Sequence, residues 1–327
     1  MAKRRMGVIA LLLCLFLWQI PLYAGAASTA DAKEPIDTDR LCELTVGYGY
    51  DGTVFRNEKV MLYKIAEVSA DFRYTLTPSL EETGLILNGV QTNGEWNVIR
   101  STLEAYILAN HIAPVAETTT NELGQAVFSQ LMPGMYLVSG VKVPWNDSIC
   151  AFGGALVALP GLETDGLWQY SVSVAAKPQI LPPGKPDEEI KQKVLKLWKG
   201  DEGVGNRPQN IEVEIFRDGV SWKTVMLSEE NQWTYGWIVP NDGASWHVVE
   251  RNVPAGYTMT VEQREATFVV TNTRISENPE IPTPPQTGDT VHILLFTVLM
   301  YVSGAMLILL GLAGKRKCHE ETNETQH

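Results

Sequence analysis

Residues 211–215 read Ile-Glu-Val-Glu-Ile and are followed closely by Asp218-Gly219. Strict alternation puts every second side chain on one face of an extended strand, and Asp-Gly closes a tight hairpin. A helix buries residues spaced three and four apart, so this pattern excludes one here. Trp233, Tyr235 and Trp237 alternate again further on. Short strands with such turn signals predict a small all-β sandwich over residues 193–275.

A larger β domain is expected upstream, over residues 40–177. Leu41 to Val46 and Lys59 to Val68 are rich in apolar and β-branched residues. Ala126-Val127-Phe128 and Met135-Tyr136-Leu137-Val138 read as strands joined by a Pro133-Gly134 turn, and Ala155 to Leu159 as another strand. Trp168, Tyr170, Val172 and Val174 alternate with Gln169, Ser171 and Ser173. Glu95 to Ile112 is the exception, because Ile99, Leu103 and Ile107 recur at helical spacing. The fold class is therefore all-β, with two tandem β-sandwich domains and a helical insertion in the first. Residues 178–192, with Pro178, Pro182, Pro183 and Pro186, are expected to form an extended linker.

Both termini point to export. Lys3-Arg4-Arg5, the apolar Val8 to Ile20 and the small-residue site Ala24-Gly25-Ala26 form a signal peptide over residues 1–26. Residues 276–290 hold Pro279, Pro282, Pro284 and Pro285 and are expected to be a stiff stalk. Residues 291–314 contain no charged side chain. As a helix they reach about 36 Å, enough to cross a bilayer. Lys315-Arg316-Lys317 then favours a cytoplasmic tail over residues 315–327.

A formal charge of −12 argues against nucleic acid or anionic lipid as a partner. The histidines are scattered and no Cys-x-x-Cys spacing occurs, so no metal or other cofactor is expected. Nor is there a nucleophile elbow or a defensible Ser/His/Asp pattern for an enzyme. Cys42 and Cys150 are the cysteines of the exported portion and are a candidate disulfide.

Three resemblances sharpen this reading. Pro284-Pro285-Gln286-Thr287-Gly288, the apolar span and the basic tail resemble the sorting signal of Gram-positive surface proteins, with Pro284 where Leu is commonest. The resemblance implies that sortase cuts between Thr287 and Gly288. It then passes the threonyl carbonyl to a peptidoglycan amine or a neighbouring pilin subunit.

Gly124 to Phe128 and Leu131 to Val138 resemble the signature of pilin N-terminal domains. Trp168, Val172, Val174 and Lys177 fall on positions of the pilin motif, but Ala175, Ala176 and Pro178 depart from it. Lys177 is thus either a polymerising nucleophile or a solvated lysine at a strand end.

The second domain resembles the Cna B-type, transthyretin-like sandwich. The resemblance rests on Val194-Leu195-Lys196-Leu197-Trp198, Arg207-Pro208, Glu250 with Pro254-Ala255-Gly256-Tyr257, and Phe268 to Thr273. It implies an intramolecular amide between Lys196 and Asn272, promoted by Glu250. Alternation puts Glu250 beside Trp246 and Val248, and Asn272 beside Phe268 and Val270. Lys196 shares a face with Val194 and Trp198, although Leu195 and Leu197 leave its orientation open. Burial lowers a lysine's pKa and makes its amine nucleophilic, while a buried carboxyl is held protonated and can shuttle protons. Such a chain is expected to be a sortase-anchored surface protein, a minor or basal pilin, with bond formation as a single turnover. A monomeric adhesin with a host or matrix ligand is the alternative.

Overall fold

The computed structural model describes residues 34–202 and 207–275. The expected signal peptide, the stalk with Thr287 and Gly288, the span 291–314 and the tail lie outside them. No helix among the described residues is long and apolar enough to cross a membrane.

The fold is mostly β. The first part of the chain holds β1 (Cys42–Gly47), β2 (Gly49–Tyr50), β3 (Thr53–Val54), β4 (Lys59–Val68) and β5 (Tyr74–Leu76). Next come α1 (Asn93–Ala109), β6 (Ala116–Thr119), β7 (Gln125–Leu131), β8 (Gly134–Val138), β9 (Val141–Trp145) and β10 (Ser148–Phe152). It closes with β11 (Ala155–Leu159), β12 (Gly161–Leu162), β13 (Trp168–Gln169), β14 (Ser171–Ala175) and β15 (Pro178–Leu181). The second sandwich comprises β16 (Lys185–Lys199), β17 (Asn210–Arg217), β18 (Val220–Ser228) and β19 (Thr234–Asn241). It ends with β20 (Trp246–Glu250), β21 (Tyr257–Arg264) and β22 (Thr267–Arg274).

In the first domain the sheet β14-β1-β7 packs with β11-β8-β4-β5 around Leu44, Val46, Leu62, Phe128, Tyr136 and Phe152. The Pro133-Gly134 turn does not make a hairpin. It carries the chain from β7, paired with β1, to β8, paired with β4 and β11. All five residues of β8 are buried. Tyr136 and Val138 face the sandwich core, whereas Met135 and Leu137 face Ile99, Leu103 and Ile107 of α1. A strand covered on both sides has no wet face, which is why its sequence reads as an unbroken apolar run.

The helix starts earlier than periodicity predicts and ends earlier too. Its start is set by a capping box: Thr92 Oγ1 accepts from Glu95 N, and Glu95 Oε2 accepts from Thr92 N at 2.9 Å. A second face, with Thr102, Ala105 and Ala109, lies against the second sandwich; Ala105 and Ala109 join its core cluster with Phe216 and Val249. Small side chains there let the helix lie close against β20 and β21, an edge strand of each sheet of that sandwich. Thr102 Oγ1 accepts from Val261 N at 2.8 Å, pairing a backbone donor on the edge strand β21. Arg251 Nη1 donates to Ala109 O at 3.0 Å, satisfying a carbonyl at the helix end.

The expected linker over residues 178–192 is corrected by this arrangement. Pro178–Leu181 pairs with β10 of the first domain, and from Lys185 the chain already pairs with β19 of the second. Proline tolerates this because it occupies strand positions whose amide is not required by the ladder. The two sandwiches consequently fall in a single compact unit that ends at Ile275.

The candidate disulfide is corrected as well. Cys42 and Cys150 are both buried, free thiols. They belong to one core cluster but sit on different sheets, Cys42 on β1 and Cys150 on β10. Cys42 Sγ is turned to the carbonyl of Arg40, at 3.9 Å, and burial pushes its thiol pKa up to about 11.

Candidate functional site

The second sandwich pairs the sheet β19-β16-β22-β21 with the sheet β18-β17-β20. Its hairpin between β17 and β18 turns at Asp218 and Gly219, both with positive φ, as a type I′ turn requires. β16 and β22 run parallel at the centre of the larger sheet, in a register that sets Lys196 beside Val270 and Trp198 beside Asn272. Along β16, Gln192, Val194 and Lys196 are buried while Leu197 is 38% exposed. This settles the ambiguity left by the two leucines: Lys196 points inward.

Glu250, at the end of β20, reaches across from the opposite sheet. Lys196 Nζ lies 2.9 Å from Glu250 Oε2, and Asn272 Nδ2 donates to Glu250 Oε1 at 2.9 Å. The side chains of Lys196 and Glu250 are wholly excluded from solvent, and Asn272 is fully buried. One carboxylate thus bridges the amine and the amide that sequence reasoning paired. Asn272 Oδ1, also buried, has no hydrogen-bond partner among the described residues. An unpaired carbonyl oxygen in a dry site is a costly feature in a finished fold.

Burial lowers the Lys196 pKa from 10.5 to about 8, with Glu250 opposing the shift. The Trp198 ring, with its centroid 4.6 Å from Nζ, also favours the cation. Desolvation outweighs both, so a usable fraction of the amine is neutral near neutral pH.

Beyond the triad lies a cluster that sequence reasoning did not single out. Asp201 accepts from Arg207 Nε at 2.6 Å and Nη2 at 2.7 Å, and from the Tyr257 hydroxyl at 3.1 Å. The Arg207 bonds hold the Asp201 carboxyl below its ordinary range, and burial raises the Tyr257 hydroxyl. Trp198 packs edge-on against Trp233 and Tyr257. Arg207 and Tyr257 were visible as parts of motifs, but nothing in their spacing announced a meeting with Asp201. Lys177 is exposed between β14 and β15. No group of metal-ligating side chains occurs among the described residues.

Residues 192–273 match the Cna protein B-type domain. That match covers most of the sandwich that holds the triad, and the first domain lies outside it. A collagen adhesin of Staphylococcus aureus is 31% identical over 106 residues, which is 30% of this chain and 9% of the adhesin. The chain therefore spans less than a tenth of the length of that curated relative.

Among solved structures, two B repeat units of the collagen-binding protein of Staphylococcus aureus align at 16% identity and TM-score 0.25. That alignment covers 72% of this chain and 49% of the other. The major pilin SpaD of Corynebacterium diphtheriae aligns at 12% identity and TM-score 0.26, covering 74% and 99%. A minor pilin of Streptococcus agalactiae aligns at 14% identity and TM-score 0.22, covering 74% and 100%.

Proposed function

We propose that the B-type domain closes itself with an amide between Lys196 and Asn272. The Lys196 nitrogen attacks Asn272 Cγ, and Glu250 carries the amine's proton to the departing group. The Cγ–Nδ2 bond then breaks and ammonia leaves. The observation that carries this reading is the buried Glu250 carboxylate in hydrogen-bond contact with both Lys196 and Asn272. A plain buried ion pair gives little net stability over apolar packing, so it would not by itself account for the arrangement. Intact mass of the purified ectodomain tests it. A deficit of one ammonia, absent from Lys196→Ala and Glu250→Ala, is expected; the full unmodified mass would overturn the reading.

In this proposal the chain is a structural surface protein of the Gram-positive envelope, a minor or basal pilin subunit. Sortase cleaves it between Thr287 and Gly288 and joins it to peptidoglycan or to a neighbouring subunit. The amide ties the first and last strands of the B-type domain, so tension along the chain runs through a covalent bond. Lys177 is the candidate acceptor lysine. A monomeric adhesin is the second reading, favoured by the stretch shared with the collagen adhesin. A wall digest separates the two: peptides branched at Lys177 support the pilin. A monomer-sized wall fraction that binds matrix supports the adhesin.

A further inference from the structure

Trp198 flanks the triad and is itself only half-buried. It is two residues beyond Lys196 on the same strand and directly beside Asn272 on the neighbouring one. Its ring centroid lies 4.6 Å from Lys196 Nζ. Its remaining sides are taken by Trp233 at 5.4 Å, Tyr257 at 5.3 Å and the Arg207 guanidinium at 5.8 Å. The last two are tied together through Asp201, whose side chain is only 2% exposed. The indole nitrogen of Trp198 is itself buried with no hydrogen-bond partner among the described residues. The ring is therefore held by its neighbours, not by an anchor of its own, and a lone buried N–H is tolerated in order to keep it there.

We infer that Trp198, clamped by the Asp201–Arg207–Tyr257 cluster, is the positioning residue that seals the triad from water and holds the Lys196 amine for attack on Asn272. This rests on the amide reading above. The charged or titratable groups that face the site are few. Glu250 contacts the amine from β20. On the outer side of the ring lie Arg207, Asp201 and Tyr257, which satisfy one another. With the ring in place water cannot solvate the ammonium, and a working share of the amine stays neutral. With the ring gone, solvent reaches Nζ and the amine returns towards ordinary lysine behaviour. The neutral fraction near neutral pH then falls about tenfold for each pK unit recovered.

The test follows bond formation by mass in the full ectodomain. The protein is made by cell-free synthesis and chased from mildly acidic to alkaline pH. Wild type must first show the loss of one ammonia; if it does not, the amide reading itself fails and the role of Trp198 is not at issue. Given that loss, Trp198→Ala is expected to slow the reaction at least about tenfold at neutral pH and to recover at alkaline pH. Trp198→Phe keeps a ring over the amine and retains the wild-type profile. Asp201→Asn, which loosens Arg207, shifts the profile in the same direction by less. The inference is overturned if Trp198→Ala keeps the wild-type profile, or slows equally at every pH, as a merely structural loss would. Should Trp198→Ala not fold, Asp201→Asn decides, and an unchanged pH profile there overturns it.

Discussion

Glu250 and Arg251 are consecutive in the chain and serve opposite sides of the second sandwich. Glu250 bridges Lys196 and Asn272 in the interior. Arg251 pairs with Glu214 on the outer face and donates to the Ala109 carbonyl at the end of α1. The strand that carries Glu250 is thereby joined to the helix of the first domain by the very next residue.

Breaking that outer link should loosen the helix without preventing the amide. Arg251→Ala leaves the Glu214 carboxylate, 8% exposed, with Ser221 as its remaining donor and takes the Arg251 donor from a helix-end carbonyl. The expected cost is about 1–3 kcal/mol. Amide exchange should rise along α1, while intact mass still shows the loss of ammonia.

Removing the amide should be costlier. The bond would close a loop between residues 196 and 272, for which the chain-entropy estimate is about 4–5 kcal/mol. Lys196→Ala should lower the denaturation midpoint accordingly and make the B-type domain susceptible to protease. Calorimetry and limited proteolysis of the two proteins check this together.

The unbonded lysine should leave a signature in alkali. In Asn272→Ala, Lys196 stays buried beside Glu250 but cannot react. Its folded pKa, about 8 in the native arrangement, lies below the ordinary 10.5. Between those values the unfolded chain holds more protons, so stability rises with pH across that window, by up to about 3 kcal/mol. The rise is measured by denaturant titration against a Lys196→Ala, Asn272→Ala control, which should lack it.

The thiols offer a separate check. Cys42 and Cys150 are free and buried, and burial raises both pKa values. Alkylation of the ectodomain should be slow in the native state and yield two adducts after denaturation without reductant. Adducts that appear only after reduction would show a bridge in place of the free thiols.

Strands were legible in the residue pattern wherever one face is wet and the other dry. Ile211, Val213 and Ile215, and later Trp237 and Val239, are buried at every second position as their alternation requires. The three members of the triad came from the resemblance to the Cna B-type domain, and the apolar faces that Glu250 and Asn272 interrupt agreed with it. Tertiary structure alone decided what alternation cannot express. Phe216 reads as out of phase, yet it is buried in one cluster with Ala105 and Ala109 of α1, and Glu214 reads as solvated, yet it is buried against Arg251 and Ser221. The inward turn of Lys196 against two flanking leucines, the pairing of a proline-bearing stretch into two sheets, and the meeting of Asp201 with Tyr257 were fixed the same way. Local pattern records only which face of an element is dry; what dries it is supplied by residues far away in the chain.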